Sequence, residues 1–244
     1  MILCIMFYFY STQQTTSNVS YHKGILFEGL LREFLRALSY NVDDLRRKQN
    51  SLEYDIHGEH ILDNRGLIAE AKAYEETVSG HHVAAFIGKA LPHLCSTKRS
   101  YSALFLSTSS LSPDGEDYLR GLEKDTPYKV IHICGADLQT KIREQLKLPQ
   151  FDAVTTLSKN QIPFQSGQHL LHTDRGTFVV VLGSGEHSVL DDRFCLIDIN
   201  GKMVEEPEFL NKIKQSIQSF QELTVVCANQ SVTQHLSSRA KVLG

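Results

Sequence analysis

Two short segments carry residue types that can do chemistry together: Glu53-Tyr54-Asp55-Ile56 and Ile68-Ala69-Glu70-Ala71-Lys72. The turn signal Asp63-Asn64-Arg65-Gly66 lies between them, so the pattern sets an Asp and an acid-x-Lys triplet on consecutive strands. Two carboxylates and an amine on neighbouring strands are what magnesium-dependent phosphodiester hydrolysis needs. Carboxylates hold the hard cation while it keeps several waters. Asp55 and Glu70 are the expected ligands, with the Ala71 carbonyl as a further oxygen. Lys72 follows Glu70 by two residues, about 6.6 Å along a strand, and shares its face. Its ammonium can orient or help deprotonate the attacking water and offset phosphate charge. The competing reading is a solvated strand face carrying a Glu/Lys pair of small energetic value. Against it, Ile68-Ala69-Glu70-Ala71-Lys72-Ala73 is otherwise so apolar that an acid and a lysine there need a reason.

The elements that must position these residues are legible as a series. Phe27, Leu30, Leu31, Phe34, Leu35 and Leu38 repeat at helical spacing and predict a helix over 24–40. Strands are expected over 42–47, 52–57 and 66–74. Tyr54 and Ile56 should lie on one face of the second, and Asp55 on the other. A helix over 81–94 follows, shortened or kinked by Pro92. A buried strand at 102–107 comes next, then a helix opened by Ser112 as N-cap with Pro113 at its first position. A strand at 128–134 and a helix over 137–146 complete the series. The first strands read as an antiparallel meander and the later ones, alternating with helices, as parallel. The expected fold is therefore α/β, a mixed central sheet flanked by helices, followed by a smaller α/β region. In that second region, strands are expected at 178–182, 194–199 and 223–227, and helices over 207–220 and 230–238.

Composition bounds the rest. A chain of 244 residues with 41% hydrophobic content and a formal charge of −3 can build one large domain or two modest ones. Any phosphate-binding surface must be a local patch. The five cysteines are scattered and never form CxxC, which fits a reducing, cytoplasmic setting and gives zinc little support. Residues 1–20 read as an N-terminal segment and linker. Met1–Tyr10 is apolar but too short to span a bilayer. It is an extra strand, a packing segment or a start-site artefact, against a membrane-related role. Residues 21–148 form the expected main domain and 150–244 a small α/β extension or connector.

Residues 24–148 resemble the PD-(D/E)XK nuclease superfamily, and within it the Mrr-like restriction endonuclease domain. The resemblance rests on Leu26-Phe27-Glu28-Gly29-Leu30-Leu31 with Ala37-Leu38-Ser39-Tyr40-Asn41-Val42, on the two site segments, and on Ala103-Leu104-Phe105-Leu106-Ser107-Thr108 before a Ser-Pro helix start. It implies a restriction-endonuclease-like sheet and a Mg2+-dependent endonuclease, with Mn2+ as a substitute, acting on DNA in restriction or anti-phage defence. Asp55 and Glu70 fall on the metal-binding acids and Lys72 on the catalytic lysine. Glu28 falls on the first-helix acid that assists them. Its plainer reading is a surface acid paired with Arg32 one turn on.

Tyr54 stands where the family name has proline, and His82-Val83-Ala84-Ala85-Phe86 stands where many members carry Q-x-x-x-F. His82 is thus a candidate for phosphate or nucleobase contact, or a helix-start cap. Arg46, Arg47 and Lys48 are candidate phosphate contacts, or a solvated loop. The adjacent His81-His82 pair points in different directions and does not make a metal site. Leu182-Gly183-Ser184-Gly185 reads as a hairpin turn. The resemblance also implies a homo-oligomer, or association with further domains of a larger defence protein such as a STAND-type NTPase, and no membrane. The rival classes are a non-catalytic binding or interaction module on the same fold and a ribonuclease.

Overall fold

The computed structural model describes residues 6–10, 19–43, 47–49, 52–74, 76–148, 164–183, 194–219 and 226–227. They fall into two compact units, Phe27–Leu138 and the combination of Met1–Leu26 with Gln139–Gly244.

The Phe27–Leu138 unit begins within helix α1 (Val19–Ala37), whose Phe27, Leu30, Leu31, Phe34 and Leu35 are buried as their spacing predicts. The helix stops at Ala37, short of the expected Tyr40. Ser39 adopts a left-handed φ of 67°, and its carbonyl accepts from the Ile61 N–H (2.9 Å). That turn frees Tyr40–Val42 to form strand β2.

The strands that follow are β3 (Arg47–Gln49), β4 (Leu52–Tyr54), β5 (Ile56–His60), β6 (Gly66–Lys72), β7 (Tyr101–Ser107) and β8 (Val130–Cys134). β3 and β4 form a separate two-stranded ribbon. The main sheet has the order β2-β5-β6-β7-β8. Its β2, β5 and β6 are antiparallel, and β6, β7 and β8 are parallel. The sheet is mixed, as the alternation of strands and helices requires.

Helices α2 (Gly80–Leu94) and α3 (Pro113–Asp125) supply the crossovers, and α4 (Gly135–Gln145) follows β8. α2 runs through Pro92 to Leu94. Ser112 is the N-cap of α3, but its hydroxyl donates to the Val78 carbonyl (3.0 Å) rather than capping the helix itself. Asp114 of α3 instead accepts from the Gly80 N–H (3.0 Å), so the start of one helix holds the start of the other.

Tyr54, Ile68, Val83, Phe86, Ala90, Ala103 and Phe105 form one buried cluster between sheet and helices. Each large side chain buried there contributes roughly 1.5–3 kcal/mol.

The expected single strand over 52–57 is two strands with a bend at Asp55. Tyr54 and Ile56 are buried as expected. The break turns Asp55 out of regular alternation.

The other unit is a five-stranded sheet of order β11-β10-β9-β1-β12. Its strands are β1 (Met6–Tyr10), β9 (Phe164–Thr173), β10 (Gly176–Gly183), β11 (Phe194–Ile197) and β12 (Val226–Cys227). β1, from the segment expected to lead the chain, is an interior strand. It runs parallel to β9 and antiparallel to β12. Gly176, at φ +121°, makes the β9–β10 turn that a side chain would strain. Helix α5 (Pro207–Ser219) adds Phe209 and Ile213 to a core of Tyr8, Tyr10, Leu171, Phe178, Val180 and Leu196. Strand β9 was not among the strands expected from the sequence. The expected helix over 230–238 and the turn at Ser184-Gly185 lie outside the described residues. Among the described residues no helix is long and apolar enough to cross a membrane.

Candidate active site

The antiparallel register of β5 and β6 pairs Ile56 with Ala69, so one further step sets Asp55 beside Glu70. The bend at Asp55 lets its carboxylate turn to the neighbouring backbone, where Oδ2 accepts from the Ala71 N–H (3.0 Å). On β6, Ile68, Glu70 and Lys72 share the face that meets α2, as period-two alternation predicts. The Lys72 ammonium stands between the two acids, 2.7 Å from Glu70 Oε1 and 3.8 Å from Asp55 Oδ2.

Glu28, Asp55 and Glu70 are 4%, 9% and 6% exposed, so these carboxylates are held largely out of water. Such burial is costly unless each charge finds a partner. The partners are present. Glu70 Oε2 accepts from the Lys89 ammonium (2.9 Å). Glu28 Oε2 accepts from Arg32 Nη2 (3.2 Å), and the same nitrogen donates to the Asp55 backbone carbonyl (2.9 Å). Glu28 is therefore paired with Arg32, but inside the protein rather than on its surface. It reaches the site through that guanidinium. The Arg32 Nε is buried without a hydrogen-bond partner.

Burial raises the Asp55 carboxyl above the usual range, and the Glu70 and Glu28 charges add to this. The Ala71 N–H and Lys72 oppose the rise. Burial alone would lower the Lys72 ammonium, but Glu70 and Asp55 outweigh it and hold the group above its ordinary value. Lys72 is thus an ammonium at neutral pH, suited to orienting a water or an anion rather than to removing a proton.

His82 is half-buried beside this cluster, with its ring 5.2 Å from that of Tyr74. Burial first, then the Lys72 and His81 charges, lower its pKa, so the imidazole is neutral near pH 7. Its backbone N–H bonds to the Ser79 carbonyl in the first turn of α2, but its side chain is not a cap. Arg47 and Lys48 belong to β3 of the two-stranded ribbon, where Arg47 pairs in register with Tyr54, the residue before Asp55, and Arg46 lies outside the described residues.

The residues that sequence reasoning did not single out are Lys89 and Arg32 as part of the cluster. A signal for Lys89 existed. His82, Phe86, Lys89 and His93 fall at i, i+4, i+7 and i+11 along one side of α2. Tyr54 is fully buried. Its hydroxyl meets His93 Nε2 (2.8 Å) and the Lys89 carbonyl (3.3 Å). It ties β4, which leads into Asp55, to the helix carrying Lys89.

Among the described residues, no group of three or more His, Cys, Asp or Glu side chains gathers as a metal-ligand set. The donor set at the site is two carboxylates bridged by one ammonium. That fits a hard cation that takes one or two carboxylates and keeps its waters, and does not fit zinc.

No family model matches this sequence, and no curated protein matches it. Two solved structures are similar in part. One is a repair endonuclease from Pyrococcus abyssi, at 13% identity and a TM-score of 0.33, over 43% of this chain and 44% of that one. The other is a protein of unknown function, at 10% identity and a TM-score of 0.39, over 56% of this chain and 78% of that one. The chain matches less than half the length of that endonuclease. Likenesses this distant concern the fold at most and carry no argument about the site.

Proposed function

We propose that this protein is a Mg2+-dependent endonuclease that hydrolyses DNA phosphodiester bonds, with Mn2+ as a substitute, in restriction or anti-phage defence. The observation that supports this reading is the shared ammonium. Lys72 stands within 2.7 Å of Glu70 and 3.8 Å of Asp55, in a cluster buried at the cost of desolvating several charges.

Asp55 and Glu70, with the Ala71 carbonyl, are the groups that would hold the cation. When bound, it would supply charge neutralisation on the phosphate and a more acidic water. Lys72 orients the attacking water and offsets charge on the phosphate oxygens. The Ala71 N–H keeps Asp55 aimed at Glu70, and Glu28 steadies Arg32 against the Asp55 backbone. His82, as a neutral ring, contacts a base or sugar edge more readily than a phosphate. Arg46, Arg47 and Lys48 are the proposed phosphate contacts outside the site. Cutting both strands calls for two such sites, hence a homo-oligomer or a larger defence assembly in the cytoplasm.

The test is cleavage of plasmid and linear DNA with Mg2+ by the parent, Asp55→Ala and Lys72→Ala proteins, beside an RNA substrate. Either substitution should lower the rate by about a hundredfold to ten-thousandfold. Equal nicking by all three proteins, or no cleavage by the parent, sinks the proposal. Preferential cleavage of RNA would make the protein a ribonuclease.

A further inference from the structure

Glu70 is held twice. Oε1 accepts from Lys72 at 2.7 Å and Oε2 from Lys89 at 2.9 Å, so both oxygens of a buried carboxylate are bound to ammonium groups. Lys72 is shared with Asp55, so Lys89 completes the charge balance of Glu70 at the cost of its own partial desolvation.

Lys89 is also placed with care. Its backbone carbonyl accepts from the Tyr54 hydroxyl (3.3 Å), next to Asp55, while its side chain reaches across to β6. Among the described residues the cluster includes Glu28, Asp55 and Glu70, paired with Arg32, Lys72 and Lys89. A divalent cation entering it would overload the positive side unless one resident cation withdrew.

Lys89 is the group able to withdraw. Its side chain is 27% exposed against 18% for Lys72, and it comes from a helix rather than from the strand that carries Glu70. A lysine stem of four methylenes can move its head into water at little cost.

We infer that Lys89 is a positioning residue that competes with the divalent cation for Glu70, and so sets the metal concentration at which the site works. This rests on the nuclease reading above and adds a control that the two-strand pattern does not contain. Without cation, Lys89 keeps Glu70 in place and its charge balanced. With cation, Lys89 gives up Oε2 and stands at the rim of the site as a positive group facing the incoming nucleic acid.

The experiment measures Mn2+ binding to the full chain by titration calorimetry and by the electron paramagnetic resonance signal of free Mn2+. It compares the parent, Lys89→Met, Lys89→Gln, Lys89→Arg and Asp55→Asn. Loss of the Lys89 charge should tighten Mn2+ binding about three- to tenfold, a change expected from removing one nearby like charge. Lys89→Arg should stay within about twofold of the parent, since it keeps the charge. The Mg2+ concentration for half-maximal DNA cleavage should fall in the same order.

Circular dichroism and thermal melts identify any variant that fails to fold, and the Met and Gln proteins back each other. Unchanged or weaker Mn2+ binding by the folded neutral variants overturns the competition. If the parent binds Mn2+ and Asp55→Asn weakens it, that overturning leaves the nuclease reading standing. If the parent shows no Asp55-dependent binding, both fall.

Discussion

In the Phe27–Leu138 unit the buried polar groups include Glu28, Asp55 and Glu70, ionisable acids that meet lysines and an arginine. Among the described residues of the other unit they are Lys23, Gln139, His169, His172, Thr173 and Thr177. There the two histidines are kept uncharged. Burial depresses each to about 4, with the Arg143 charge adding to the effect on His169. His172 Nδ1 meets the Thr177 hydroxyl at 2.8 Å, and His169 packs edge-on to Tyr8. Among the described residues, the first unit buries several paired charges and the second, Lys23 apart, buries neutral polar groups. Burying neutral groups is the cheaper way to build a core, so the confined charges are where the fold carries the larger desolvation cost.

The largest effect that tests this contrast is acid. A histidine held near 4 in the folded chain but near its ordinary value when unfolded takes up its proton first on unfolding. The contribution to stability is complete above about pH 6.5 and is lost as pH falls toward 4, on the order of 3 kcal/mol for each histidine. Amide exchange should therefore show β9 and β10 losing protection between these pH values before β6 and β7 do. Simultaneous loss in both sheets would break the contrast.

A smaller effect of opposite sign is expected at Asp55. Its carboxyl is raised, so folding favours the protonated form, and the benefit is lost as pH rises above the unfolded value. Asp55→Asn keeps an acceptor for the Ala71 N–H and removes the charge. It should raise Tm by about 2–4 °C at neutral pH while abolishing cleavage, with the gap from the parent narrowing in acid. A lower Tm would mean that the charge stabilises the fold.

The smallest effect belongs to a surface pair. Lys212 and Glu208 are one turn apart on α5, 2.8 Å between charges, and exposed. Lys212→Ala should shift Tm by less than about 1 °C, because solvent screens such pairs. A larger shift would show that this unit also depends on ion pairs.

The strongly periodic parts of the fold were readable from residue order. The α1 stripe, the apolar β7 run and the Ser112-Pro113 helix start all appear where pattern and turn chemistry put them. Asp55, Glu70 and Lys72 were readable as a group because alternation on β6 and one step of register bring them together.

Three features were hidden, each for a physical reason. The bend at Asp55 is invisible to a two-residue period, which treats 52–57 as one strand. Strand β9 contains Gln165, Ser166, Gln168, His169 and His172, so composition reads it as loop. Its two described histidines are buried as neutral rings that polarity scales count as exposed. Lys89 is one lysine on an amphipathic helix, indistinguishable from a solvated one until the fold sets it against Glu70.

The pairing of β1 has a consequence in time. Phe7 lies beside Leu170, so about 160 residues of synthesis separate a strand from its neighbour. At ordinary elongation rates that is on the order of ten to thirty seconds. During that interval Met-Phe-Tyr-Phe-Tyr lacks its β9 partner, while every strand of the β2-β5-β6-β7-β8 sheet is synthesised. The segment has high β-propensity and carries no charge, the composition that recruits holding chaperones or drives self-association. Yield in a cell should therefore depend on how β1 is shielded while it waits.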